Sequence, residues 1–393
     1  MIDLDRVRQD TPTCFDQVFL DSAGSSLLPA PVLAEVNGHL RREQEVGGYR
    51  AQDERQADLE DGYRVAAEFF DCAPDEVAFA ESATRAWQSA LASVPFKAGD
   101  RVLVTEAEYG GNAVALLAYC VPLGVSVEVV PSDADGCLSI DRLRDMLDDR
   151  VKLVSLVHTP TNGGLVNPVA EAIAAVHETD ALTLLDACQT GGQLPVHAAA
   201  LDADFVSLTG RKWLRAPRGS GLLIVRGRAK GTRPPIIDHA WTDWTGLDEI
   251  DIPSSARVHE AWESSVATRL GLIRALRYAA DLGIDTIAEA VQSRAEHLRT
   301  GLSALPGVRV HDLGRTKAGI VTFTVDGHTA DEVKRYLVQR DITVTVSQLK
   351  ATRYDMTRRG LTEVVRASPH YFVAPQQLDE FLTAVDALTS ARS

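Results

Sequence analysis

Asp204-Phe205-Val206-Ser207-Leu208-Thr209-Gly210-Arg211-Lys212-Trp213 opens as a short, mostly apolar run and closes on a small-residue turn with two cations. A run of that length ended by Gly suits a buried strand passing into a loop. A second run, Leu182-Thr183-Leu184-Leu185-Asp186-Ala187-Cys188-Gln189, reaches an acid at its end. Further apolar runs stand outward from this pair, at Glu76 to Ala80, Arg101 to Val104, Val125 to Val130 and Leu153 to Val157. Helical stretches lie between them, among them Ala83 to Ser93 and Ala170 to His177. Strands alternating with helices imply βαβ units, and unbroken apolar strands imply a parallel sheet covered on both faces. The expected fold is therefore α/β, with a large doubly wound, mostly parallel sheet.

Beyond residue 266 the pattern changes. Val266 to Ala304 carries long helical periodicity, followed by strand-like runs at Gly307 to Val310 and Gly319 to Val325. A helix over 330–339, a strand near 342–346 and a last helix over 375–390 complete a small α+β domain. The expected division gives residues 16–265 to the large, cofactor-binding domain, and 1–15 with 266–393 to the small one.

Composition narrows the function classes. A chain of 393 residues can bury a large core and exceeds one ordinary compact domain. Its 45% hydrophobic and 24% charged content is that of a soluble globular protein. A net charge of −15 argues against nucleic acid or an anionic membrane as partner. Arg211, Arg215 and Arg218 could still form a local cationic pocket. No apolar run is long enough to span a bilayer, and Met1 to Arg6 has no apolar signal core. Cys14, Cys72, Cys120, Cys137 and Cys188 are odd in number and lack metal-ligand spacing. That fits reduced thiols in a cytoplasm and predicts no metal.

In open α/β sheets ligands bind beyond the carboxyl ends of the strands. Asp186, Ser82-Ala83-Thr84 and Glu108-Tyr109 all fall at such ends. A lysine among small and cationic residues, with an acid closing a preceding strand, suggests pyridoxal 5'-phosphate (PLP). The Lys212 amine would carry the cofactor, and Asp186 would keep its ring nitrogen protonated so that the ring absorbs carbanion electrons. Taken singly, each residue has a plainer reading: a solvated surface charge for the lysine, a turn or cap for the acid. Their order along the chain, with the matches that follow, favours the chemical reading.

Those matches are Phe19-Leu20-Asp21-Ser22-Ala23-Gly24, Glu81-Ser82-Ala83-Thr84-Arg85-Ala86, Glu106-Ala107-Glu108-Tyr109-Gly110-Gly111-Asn112, His158-Thr159-Pro160-Thr161-Asn162-Gly163-Gly164 and Arg366-Ala367-Ser368-Pro369-His370. In this order, with Asp186 and Lys212, they resemble the class V aminotransferase and cysteine desulfurase family of PLP enzymes. The resemblance implies PLP-dependent transferase fold type I over nearly the whole chain. It also implies roles. Ala83 and Thr84 would hold the phosphate at a helix start, with Thr209 and Arg211 as further ligands. Tyr109 would stack on the cofactor as a third catalytic residue beside Lys212 and Asp186. Cys188 would lie against the other face as a small hydrophobe, and Gln189 would bond the phenolic oxygen. Arg366 would grip the substrate's α-carboxylate with its planar fork, and Asn162, Ala23 and Gly24 would border the substrate. The segment Arg257 to Ser265 resembles the one that reaches a partner subunit's phosphate. Ser264 and Ser265 are its candidates, and a homodimer with composite active sites is implied.

One departure bears on the chemistry. Cysteine desulfurases carry a nucleophilic Cys in a loop before the carboxylate-binding Arg, but Thr345 to Met356 contains none. Glu45-Val46-Gly47-Gly48-Tyr49, Arg211-Lys212-Trp213 with Pro217-Arg218-Gly219, and the Arg366 block look like the hercynylcysteine sulfoxide lyases of ergothioneine biosynthesis. They also look like lincosamide-pathway enzymes that process S-conjugated cysteines. The Thr161-Asn162-Gly163-Gly164 turn departs from the ergothioneine branch. The expected reaction is β-elimination from an S-substituted cysteine, an amino-acid substrate. Decarboxylation with oxidative deamination, transamination or epimerisation would need the same lysine and acid. A non-catalytic binding protein keeping the fold is the reading from another class.

Overall fold

The computed structural model describes residues 2–390. Its largest sheet has seven strands: Val77–Ala80 (β1), Arg101–Thr105 (β2), Ser126–Val130 (β3), Val151–Val157 (β4), Leu182–Asp186 (β5), Phe205–Thr209 (β6) and Gly221–Val225 (β7). Their order is β1-β7-β6-β5-β4-β2-β3. Strands β6, β5, β4, β2 and β3 pair in parallel, and β7 runs antiparallel to both β6 and β1. The sheet is therefore mixed, through one reversed strand.

Alternation along the strands explains the apolar runs. Leu222 and Ile224 of β7 point into one core with Val206 and Leu208 of β6, while Leu223, Val225 and Phe205 point into another. Both faces are covered, so apolar residues dominate at both parities, with a few buried polar ones such as Ser207 among them. Each fully buried Leu, Ile or Phe contributes on the order of 1.5–3 kcal/mol of transfer free energy.

The second sheet is antiparallel: Val308–Val310 (β8), Val321–Val325 (β9), Thr345–Gln348 (β10) and Glu363–Ala367 (β11), in the order β8-β9-β11-β10. Helices Ile284–Ala304, Ala330–Val338 and Pro375–Ser390 share its core. Packing runs across both expected domain boundaries. Val18–Phe19 pairs in parallel with Ile342–Thr343 and joins the second core. Helix Val266–Leu282 gives Leu272, Ile273 and Leu276 to the first core and Tyr278 and Ala279 to the second. The carboxyl ends of β4, β5 and β6 open towards β11, and the candidate site lies there. Among the described residues no helix is long and apolar enough to cross a membrane.

Candidate active site

A cleft of about 600 Å³ is lined by Ser82, Ala83, Thr84, Tyr109, Asn112, Val157, Thr159, Thr161, Asp186, Cys188, Gln189, Thr209, Arg211 and Lys212. Lys212 follows β6 through a short turn and lies partly accessible to the cleft. Burial, with the charges of Arg211 and Arg366, lowers its pKa to about 8, against the opposing pull of Cys188 and Asp186. A lysine amine is a nucleophile only when neutral. Covalent capture of added PLP by the cofactor-free protein should therefore accelerate as pH rises through about 8, not 10.5. Stopped-flow absorbance would measure the rate, and borohydride reduction with peptide mapping should place the pyridoxyl group on Lys212. Label on another lysine would reassign the site.

Asp186 closes β5 and is buried. Its Oδ1 accepts from the Cys188 N–H at 3.0 Å and its Oδ2 from Asn112 Nδ2 at 2.8 Å. Among the described residues no lysine or arginine forms an ion pair with it. A buried carboxylate facing a cleft without a cationic partner is costly unless a cation or N–H arrives there. A protonated pyridine ring supplies that, so the acid fits PLP.

The opposite end of the cleft fits a phosphate. Helix Ala83–Ala92 begins there, with Ser82 as its N-cap accepting from the Arg85 N–H at 3.2 Å. The first N–H groups of the helix have no intrahelical acceptor and favour an anion. Gly221 permits this placement. A Cβ on it would lie 2.7 Å from the backbone N of Ala83 and from the carbonyl carbon of Ser82, so any side chain would push the helix start off β7. Thr209 and Arg211 flank the same region.

Arg366 on β11 is buried at the cleft's other border. Its Nη1 donates to Thr161 Oγ1 at 2.8 Å and Thr161 O at 3.1 Å, and its Nη2 donates to Asp21 Oδ1 at 3.0 Å. Its buried Nε has no protein partner. Gln189 spans towards it, with Nε2 donating to Ala23 O and Thr161 Oγ1 at 3.1 and 3.2 Å. Its Oε1 accepts from Trp213 Nε1 at 3.0 Å. Tyr109 is 42% exposed, enough to meet a ligand with its ring. Cys188 faces the cleft, but burial and Asp186 push its thiol well above the ordinary range, so it stays protonated.

Some expected residues are not brought to the cleft. Asn162 is buried behind it, with Nδ2 donating to Asp355 Oδ2 at 2.8 Å and its carbonyl accepting from Thr322 Oγ1 at 3.2 Å. The preceding residue, Thr161, faces the cleft instead. Ala23 and Gly24 take part only through backbone carbonyls, on Gln189 and Arg211. Ser264 and Ser265, expected at a partner subunit's phosphate and not at this chain's own, lie near Glu81, Gly219, Ser220 and Arg269. Ser265 caps helix Val266–Leu282 by accepting from the Thr268 N–H. Buried Glu260 anchors that segment, accepting from Tyr63 Oη, the Phe79 N–H and Trp241 Nε1. The sequence reading also missed residues. Asn112, Thr159 and Thr161 line the cleft without having been given a role, while Ser82 lines it and Glu108 sits beneath it at the strand ends where they were expected. Asn112 was visible in the sequence through its i, i+4 spacing from Glu108 at a strand-to-helix passage, and Thr159 and Thr161 through the quoted turn that holds them.

The Cys-free segment is short and fixed. After β10 it turns through Leu349–Ala351 into helix Arg353–Arg358. The Asp355 N–H donates to Glu106 O at 3.1 Å, and Arg358 pairs with Glu106 at 2.8 Å.

The family model for class-V aminotransferases matches residues 18–381. A probable cysteine desulfurase of Mycolicibacterium paratuberculosis is 28% identical over 98% of this chain, which spans 58% of that protein. A cysteine desulfurase of Escherichia coli O139:H28 is 25% identical over 98% of both chains. Among solved structures, the apo cysteine desulfurase of Thermococcus onnurineus NA1 superposes with a TM-score of 0.91 at 23% identity, over 100% of this chain and 99% of that one. A cystine C–S lyase, C-DES, in complex with its reaction product cysteine persulfide, superposes with a TM-score of 0.86 at 23% identity, over 96% and 99%.

Proposed function

The chain belongs to the class V aminotransferase family, and on that premise we propose that it is a PLP-dependent carbon–sulfur lyase. Its substrate would be a cysteine carrying a group on sulfur, as a thioether or sulfoxide. β-Elimination would release a thiol or sulfenate, pyruvate and ammonia. The observation that carries this reading is the cleft itself: Lys212 and Asp186 line it, Arg366 bonds its lining residue Thr161, and the thiol of Cys188, which also lines it, is held protonated by burial. PLP, when bound, supplies the electron sink that stabilises negative charge at the α-carbon.

This chain's residues would do the rest. Arg366 receives the α-carboxylate, with its unpartnered Nε and the Nη2 now shared with Asp21. Lys212 takes the α-proton, being neutral above pH of about 8. Asp186 holds the proton on the ring nitrogen. Departure of sulfur then needs no acceptor on the enzyme. Cystine is itself a cysteine with a substituted sulfur, and the likeness to a cystine C–S lyase supports the reading. The resemblance to hercynylcysteine sulfoxide lyases makes sulfoxides the first substrates to try.

The test is to incubate the enzyme with cysteine and with a panel of S-conjugated cysteines. Pyruvate and free thiol should form from the conjugates, and free cysteine should turn over poorly. Cys188→Ala should keep most activity. A stoichiometric persulfide on any cysteine, formed at the rate of turnover, would replace the lyase with a desulfurase whose nucleophile is displaced.

We also propose a homodimer. Trp244, Leu247 and Ile250 of the hairpin Asp243–Asp251 are 75%, 93% and 55% exposed, and Ile236 nearby in sequence is 88% exposed. Apolar residues so displayed suit an interface, and Ser264 and Ser265 follow in the same excursion. Light scattering should give twice the chain mass, and a fully active monomer would end the proposal.

A further inference from the structure

Beneath the cleft, one amide joins two buried carboxylates. Asn112 Nδ2 donates to Asp186 Oδ2 at 2.8 Å and to Glu108 Oε1 at 3.0 Å. Both of its hydrogens are thereby used. Glu108 is fully buried, and its other contacts are also donors: Ser155 Oγ to Oε2 at 2.7 Å and the Tyr109 N–H to Oε1 at 2.9 Å. Glu108 thus touches the strand under the site, the amide that bonds Asp186, and the backbone of the cleft's aromatic residue. It makes no ion pair among the described residues. A buried acid is costly to keep without a cation, and nothing in the mechanism above uses it.

We propose that Glu108 is a positioning residue for PLP. Through Asn112 it fixes the orientation of Asp186 and tunes that acid's hold on a protonated ring nitrogen. Through the Tyr109 N–H it also fixes the ring beside the cleft. The inference rests on the reading of Asp186 as the ring-nitrogen partner. The physical logic is that a primary amide with one acceptor can turn, whereas one clamped between two acceptors cannot. The second carboxylate also adds charge. Burial pushes Glu108 up to about 7, with Asp186 adding to the rise and the Ser155, Asn112 and Tyr109 donors opposing it. The titratable groups facing it are Asp186 on β5 and Tyr354 on helix Arg353–Arg358. Cys188 and Lys212 interact with Asp186 in turn. Below pH 7 Glu108 is neutral. Above it, a second negative charge stands behind Asp186 and strengthens the site for a cationic ring.

The test uses cofactor-free protein and PLP itself, with tryptophan fluorescence giving the dissociation constant at pH 6, 7 and 8. Glu108→Gln keeps the shape and removes the charge. Its dissociation constant should exceed the wild-type value by about tenfold at pH 8, equivalent to one pKa unit, and the ratio should fall towards one at pH 6. Taking the ratio cancels the titration of the cofactor and of Lys212. Ser155→Ala removes a donor that favours ionised Glu108, so it should move the midpoint of the pH dependence upward. A Glu108→Gln ratio that is flat with pH overturns the inference while leaving the PLP reading intact. If that variant does not fold, an unmoved midpoint in Ser155→Ala overturns it instead. Wild-type protein that binds no PLP at any pH removes the PLP reading, and this inference with it.

Discussion

Lys212→Ala should bind PLP and yet eliminate sulfur about 10⁴-fold more slowly, the upper range for loss of a positioned general base. The cofactor keeps its other candidate partners, Asp186 and the helix start at Ala83 and Thr84, so binding and turnover separate. Lys212→Arg should not rescue activity, because guanidinium stays protonated at any working pH. A small primary amine such as methylamine should restore part of the rate, since truncation leaves space where a free base can reach the α-carbon. Its effect should rise with pH as more of the added amine becomes neutral. The measurement is pyruvate release with and without amine. Activity within tenfold of wild type would show that another group takes the proton.

The sheet was legible because its chemistry is simple. A strand covered on both faces is mostly apolar, and β4, β5 and β6 show as such runs, their few polar residues, such as Ser155 and Thr183, being buried and hydrogen-bonded. Strand β7 was not separated from the rest, because Gly221 to Val225 follows the lysine turn with no helix to mark a crossover. The boundaries were less legible. Nothing in Val18-Phe19 tells that it pairs with Ile342-Thr343, more than 300 residues away. Within the site, Lys212, Asp186 and Arg366 could be named because each stands at the end of a strand or in a quotable block. Asn162 is expected at the substrate through the likeness of its turn to the family's, but that likeness does not say which way a buried side chain faces, and Asp355 claims it. The residues missed do their work through other residues. Asn112 looks like an ordinary polar residue in the first turn of helix Gly110–Cys120 until the fold sets Asp186 beside it. Thr161 gains meaning only when β11 brings Arg366 across.

Asp186→Asn separates the charge of that acid from its shape, which a change to Ala would not. The amide still offers an oxygen to the Cys188 N–H, as Oδ1 does now. Its nitrogen would meet the Asn112 amine, so Asn112 must turn over and present its oxygen, giving up its bond to Glu108. The cleft stays filled and polar, and PLP should still bind. What is lost is the negative charge that keeps the ring nitrogen protonated, and with it the ring's capacity to hold electrons from the α-carbon. Turnover should fall about 10²–10³-fold, or about 2.7–4 kcal/mol, as when one preorganised electrostatic group is removed from a site. Stopped-flow rates on a good conjugate, alongside the absorbance of the bound cofactor, would measure both quantities in one preparation. Near wild-type turnover with cofactor in place would mean that Asp186 does not partner the ring nitrogen. The buried, cation-free carboxylate at the end of β5 would then need another cause, and Glu108 would lose its positioning role through Asn112.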